Sequence, residues 1–277
     1  MARIGPDKHP HQVEGIHLAL ASARQVDAMQ RHLEGKSSTA LIKGGSPLAA
    51  LIEELPAGPV TLEETVWEGL WTAYTSLKPV INSVEQNRAG DPAAVLIILV
   101  RSALLASARV AYAIAPGEDR FDRARHVMHQ EASSLKRWYS DKASHAFQEW
   151  MPEDRDYRQE MASTHGPGRP LSETAMLRQL ARTSAGFPPP TPSEQAGLEQ
   201  ELMWTFNVAS GVAHGFAWPW QLPRVGDFPG DFVRMLALTS MLVDGAHQLA
   251  FQEGGTDPRS IIEASSASRW LPRRPRA

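Results

Sequence analysis

A long apolar run at residues 93–115 constrains the fold of this chain more than any other feature. The run reads AAVLIILVRSALLASARVAYAIA, long enough for a helix that crosses a membrane or lies at the centre of a protein core. Arg101 and Arg109 lie within it, and each arginine costs about 2.5–3.5 kcal/mol near the middle of a bilayer. The sequence therefore predicts the central buried helix of a soluble bundle, without membrane contact.

Helical periodicity also dominates the rest of the chain, and strand-like alternation is almost absent. Capping signals and breaks at proline and glycine predict further helices: residues 11–33, 61–88 with a kink or break at Pro79, 119–150, 153–162, 172–183, a helix capped by Ser193, residues 231–253, and a short helix from Pro258. We predict an all-α helical bundle with an N-terminal helical extension. It divides into an N-terminal helix and linker (1–60), a main bundle (61–253), and a short helix with a basic tail (254–277).

The composition limits the partners and the compartment. With 28 basic and 31 acidic residues the net charge is -3, so any contact with nucleic acid must come from a local patch. The chain has no cysteine, which excludes disulfides, thiolate metal sites and a cysteine nucleophile. The start, MARIGPDKHPHQ, lacks the apolar segment of a secretory signal. We expect a cytoplasmic protein whose arginine-rich end, RWLPRRPRA, is solvated or else contacts RNA or phosphate.

A polar cluster in an aromatic setting marks residues 204–220, WTFNVASGVAHGFAWPW. The pattern predicts the end of a helix that breaks at Gly211 and Gly215, with Asn207, Ser210 and His214 gathered near the turn. Polar groups among aromatic residues are typical of a binding or catalytic pocket. His214 has two interpretations: a general acid or base, or a residue that binds the carbonyls at the helix end.

The two arginines of the apolar helix need partners. At about 100° per residue, Arg101 shares a stripe with Tyr112, whereas Arg109 points roughly 80° away. A guanidinium keeps its charge when buried, so it requires a carboxylate, a phosphate or several carbonyls. Arg101 is therefore either an anion ligand at the floor of a pocket or the ion-pair partner of a glutamate such as Glu64 or Glu68.

Two further patterns carry less weight. Glu14 with His17, and Asp244 with His247, have the acid-x-x-His spacing of carboxylate-bridged di-iron bundles. The Asp244 side faces away from the apolar stripe of its helix by helical counting, and we predict no metal and no cofactor. The hook at Trp218, WPW, either stacks an aromatic ligand or packs a loop onto the bundle.

An arginine inside a hydrophobic central helix, followed by an SGVAHG turn, resembles the HEPN-like helical bundles. The resemblance covers residues 61–253 and is one of pattern. It implies a four-helix-type bundle, often a homodimer, that binds nucleotides or cuts RNA. The nuclease members carry an arginine, four to six residues, and then a histidine. At the corresponding positions before His214 this chain has Asn207, Val208 and Ala209.

The leading hypothesis is a HEPN-like bundle that recognises RNA or a nucleotide, with metal-free RNA cleavage as the further activity. The candidate catalytic residues are His214 and Asn207, and the candidate ligand-binding residues are Arg101, Arg109, Tyr112, Ser210 and Trp218. One alternative is a non-catalytic interaction protein that offers an apolar or aromatic surface. Another is an enzyme that binds a small anionic substrate inside the bundle through Arg101. Convergence of Arg101 and His214 on an open cavity would favour a site, and a direct Arg–Glu pair in a dry core would favour a structural role.

Overall fold

The computed structural model describes residues 10–55, 61–86, 93–140, 172–183, 191–216, 219 and 228–268. Within these residues all regular structure is helical, which confirms the predicted all-α bundle. The elements are α1 (Pro10–Leu33), a 3₁₀ turn (Ser38–Leu41), α2 (Pro47–Glu54), α3 (Leu62–Glu85), α4 (Ala93–Ile114), α5 (Arg120–Ser140), α6 (Glu173–Thr183), α7 (Pro192–Ala213), α8 (Phe228–Glu253) and α9 (Pro258–Ser268). The helix predicted at 153–162 and the Trp218 side chain lie outside the described residues.

Reciprocal caps begin two of these helices. At α3 the predicted capping box is present: Thr61 Oγ1 accepts from the Glu64 N–H, and Glu64 Oε2 accepts from the Thr61 N–H, both at 3.2 Å. The same motif begins α7, where Thr191 and Glu194 form it. The predicted cap at Ser193 is therefore wrong: the cap is Thr191, two residues earlier, because the proline that follows Thr191 favours the first helical turn.

Two of the predicted breaks do not occur. The helix α3 runs unbroken through Pro79, which is exposed, while the adjacent Leu77 and Val80 are buried. Packing on the buried side holds the helix although the ring removes one hydrogen bond. The helix α7 also continues through the buried Gly211. It ends at Ala213, just before the other predicted break at Gly215, whose φ of 72° suits a helix stop.

The apolar helix α4 occupies the centre, as predicted. It packs against α3, α5, α6, α7 and α8. Among the described residues it is the one helix with the length and apolar composition of a membrane span, with a mean hydropathy of 2.0. Only 39% of that stretch is buried, and Val95 and Ile98 are exposed by 48% and 38%. This central helix thus leaves part of its apolar surface uncovered.

The first helix, α1, runs parallel to α8 and shares a polar contact with it inside the core. The Gln30 amide lies 2.9 Å from Nε2 of His247, and His247 Nδ1 donates to the Val243 carbonyl at 2.8 Å. Because that carbonyl only accepts, the neutral ring is protonated at Nδ1 and Nε2 accepts from Gln30. Asp244 lies one turn earlier and is only 8% exposed, so the side of α8 that faces away from its apolar stripe is buried as well.

Candidate functional site

The structure brings two of the predicted ligand-binding residues together where α4, α6 and α7 meet. Arg101 Nε donates to Ser210 Oγ at 2.9 Å. The guanidinium also lies 3.5 Å from Glu173 Oε1 and 5.4 Å from the centre of the Phe206 ring. The Arg101 side chain remains 22% exposed. Arg101 is thus held by a hydroxyl, a carboxylate and a ring face at the edge of the core.

The second arginine of α4 lies elsewhere. Arg109 Nη2 is 2.5 Å from Glu131 Oε1 of α5, and both line a cavity of 270 Å³ between α3, α4 and α5. Glu64 and Glu68, which the sequence offered as partners of Arg101, line this cavity instead. Eight residues of helix separate the two arginines by about 12 Å along its axis, so they do not hold one common anion.

Tyr112 is also placed apart from Arg101. Its ring lies 6.0 Å from the guanidinium of Arg123, and Arg123 Nε donates to the Tyr112 carbonyl at 2.8 Å. Burial raises the pKa of the Tyr112 phenol above its usual value, so the group stays neutral at physiological pH. These contacts tie the end of α4 to the start of α5.

The end of α7 carries the candidate catalytic residues. Asn207 of α7 and His214, the residue at its C-terminal cap, are both exposed, and their spacing of seven residues is about two helical turns. The backbone N–H of His214 donates to the Ser210 carbonyl at 2.9 Å. Its ring lies 5.8 Å from the ring of Phe216, tilted by 38°, and Phe216 is 55% exposed. One turn beyond Ser210, the helix therefore presents two accessible rings.

The acid-x-x-His pairs do not assemble into a metal centre within the part of the chain that the structure describes. No three histidine, aspartate or glutamate side chains there are grouped closely enough to hold a metal ion. Glu14 and His17 are exposed on α1. His247 is fully buried with its acceptor nitrogen facing Gln30.

An exposed apolar face on the antiparallel pair α3–α4 was not predicted. Trp71 of α3 is 42% exposed, and Val95 and Ile98 of α4 complete the set of large exposed apolar side chains on these helices. The α3–α4 face also includes the uncharged residues Thr72, Thr75, Pro79, Ser102 and Ala106. The sequence indicates such a face through the apolar residues on all sides of α4, because a helix of this kind is normally covered by other elements on every side.

Comparison with known proteins adds no relative from which a role could be transferred. No protein-family model matches the chain, and neither a curated protein nor a solved structure gives a significant match. The relationship to the HEPN-like bundles stays a prediction.

Proposed function

We propose that this protein is a HEPN-like helical bundle of the cytoplasm that binds a nucleotide or RNA where α4, α6 and α7 meet. The observation that carries the proposal is the hydrogen bond from Arg101 Nε to Ser210 Oγ. It joins a guanidinium and a hydroxyl, two groups that bind phosphate oxygens well. The exposed rings of His214 and Phe216 follow by one turn, and flat rings stack on nucleobases.

Phosphate binding at this site replaces a weak ion pair by a stronger one. Glu173 is 48% exposed and contacts Arg101 at 3.5 Å. An exposed ion pair of this kind contributes about 0–1 kcal/mol, so its carboxylate returns to water at little cost. A phosphate then accepts two parallel N–H bonds from the guanidinium, which a single distant carboxylate oxygen does not.

The proposed activity is binding without turnover. A metal-free ribonuclease needs a proton-transferring group and cationic stabilisation of the charge that develops on phosphorus. His214 is accessible for the first task. For the second, Arg109 is committed to Glu131, and Arg101 serves to bind the ground-state phosphate.

The test is a titration with AMP, by calorimetry, and with a short fluorescent single-stranded RNA, by anisotropy. We expect Arg101→Gln and Phe216→Ala each to weaken binding by about tenfold, the loss of one charge-assisted bond or one stacking contact. Arg109→Gln is the matched control, since it removes an arginine of the same helix in a separate cavity, and it should bind as the parent does. Equal affinities for the parent and both site variants, or shortened RNA products, would contradict the proposal.

A second candidate function rests on the α3–α4 face: a non-catalytic interaction protein that pairs with a second copy of itself. The face has no charged residue of α3 between Glu68 at one end and Lys78 near the other, where the Lys78 ammonium lies at the edge of the face beside Asp27 of α1. An antiparallel copy centred between these two residues brings unlike charges towards each other, which is the self-complementarity that a twofold interface needs. The second copy also covers Val95 and Ile98, and removing these apolar side chains from water is favourable.

Sedimentation velocity over a range of concentrations tests this candidate. We expect the parent to dimerise and Ile98→Glu to sediment as a monomer, because the carboxylate would be buried without a partner in the interface. Leu18→Glu is the control: Leu18 is 42% exposed on α1, on the side turned away from α3 by helical counting. The self-association would be refuted if the parent were monomeric at all concentrations, or if Ile98→Glu and Leu18→Glu reduced the dimer fraction equally.

A further inference from the structure

A groove open to solvent lies between α1 and α3, with a volume of 490 Å³. This size falls within the range of about 300–1,000 Å³ that small-molecule sites occupy. Among the described residues, only these two helices line it. Its floor is apolar and consists of Leu20, Ala23, Val26, Leu77 and Ile81. The groove is independent of the Arg101 surface, and Lys78 on its wall also lies near one end of the α3–α4 face.

One end of the groove is fixed by a dense polar network. The Tyr74 hydroxyl donates to Asp27 Oδ1 at 2.9 Å, and the Lys78 ammonium lies 3.6 Å from the same oxygen. The other oxygen of Asp27 is 2.5 Å from Arg31 Nη2. With both of its oxygens in contact with donors, Asp27 is a wall of the groove and not a free ligand.

The other end carries two charges that are only loosely joined. Arg24 of α1 and Glu85 of α3 face each other across the groove at 4.0 Å, with side chains 63% and 43% exposed. Asn82 lines the groove on the same wall as Glu85. An ion pair this long and this exposed contributes little stability, so a ligand can insert between the two charges.

The charge arrangement identifies the class of ligand. The ionised residues that line the groove are Arg24, Asp27, Lys78 and Glu85, and their formal charges cancel. A net anion or net cation would gain nothing from the groove as a whole, whereas a molecule with separated charges matches the loose pair. We infer that the groove binds a zwitterionic α-amino acid with an apolar side chain. Its carboxylate meets Arg24, its ammonium meets Glu85, and its side chain lies on the apolar floor.

The fixed end keeps its charge state through neutral pH. Burial raises the pKa of the Tyr74 phenol, and the hydrogen bond with Tyr74 raises the pKa of the Lys78 ammonium. The phenol therefore stays neutral and the ammonium stays charged while a ligand enters. The wall beside the ligand thus has one protonation state over the pH range in which the amino acid is a zwitterion.

Calorimetry with L-leucine at neutral pH, repeated with 4-methylpentanoate and isoamylamine, tests the inference. These two analogues lack the ammonium and the carboxylate respectively. We expect saturable binding of leucine that is weaker by about fivefold or more for either analogue and for Arg24→Gln or Glu85→Gln. Arg234→Gln is the matched control, since Arg234 makes an exposed ion pair with Glu201 at 2.7 Å outside the groove; its affinity should equal that of the parent.

Three results would overturn the inference: no saturable signal with about 10 mM leucine, leucine binding by both groove variants at parent affinity, or 4-methylpentanoate binding as tightly as leucine. Circular dichroism of each variant confirms that the helices are intact, which we expect because both substituted side chains are largely exposed.

Discussion

Two buried titratable residues of α8, Asp244 and His247, respond to pH in opposite directions. Burial lowers the pKa of His247 to about 4. Between that value and the unfolded value of 6.5, only the unfolded chain binds the proton, so stability falls as the pH falls. Burial raises the pKa of Asp244 to about 6, from 3.8. Between these two pH values only the folded chain keeps the proton on Asp244, so stability falls as the pH rises.

Removing either residue should expose the response of the other. Each shift corresponds to about 3–3.5 kcal/mol, at about 1.4 kcal/mol per pKa unit. Relative to the parent, Asp244→Asn should gain stability as the pH rises from 4 to 6.5, and His247→Gln should gain it as the pH falls over the same interval. Urea unfolding at several pH values measures both. Differences from the parent that do not change with pH would mean that neither pKa is displaced.

At the scale of the helices, local chemistry was predictable and packing was not. The cap at Thr61 depends on its own side chain and on Glu64 three residues later, so the sequence reveals it. The breaks expected at Pro79 and Gly211 fail because burial on one helix face outweighs the local preference, and only the assembled bundle shows which face is buried.

In the candidate site too, the positions of residues on one helix were predictable, and their partners on other helices were not. Helical counting correctly separates Arg101 from Arg109, because both lie on one helix. It does not identify their partners, Glu173 and Glu131, because these come from α6 and α5. The α1–α3 groove was missed for the same reason: Arg24 and Glu85 meet only after two helices far apart in sequence pack together.

At the scale of the whole molecule, the bundle is organised around α4. The helices packed against it contribute to three hydrophobic clusters, and residues of α4 belong to all three: Ile97 to one, Val100 and Ala103 to another, Leu104 and Ile114 to the largest. Opening this helix therefore requires most of the core to separate. Peripheral elements open with far less disruption. One of them is α9, whose main contacts within the described residues are with α1 and α8.

Hydrogen exchange followed by mass spectrometry should reproduce this order. Backbone amides exchange at a rate set by the free energy of the opening that exposes them, from near zero at the periphery to the full unfolding free energy in the core. We expect peptides from residues 100–114 to exchange slowest, and peptides from α9 to exchange early. The α1–α8 pair should fall between, since it is well packed but lies to one side of α4. If peptides of α1 and α8 outlasted those of α4, the stable nucleus would be that parallel pair, and α4 would be a helix added to it.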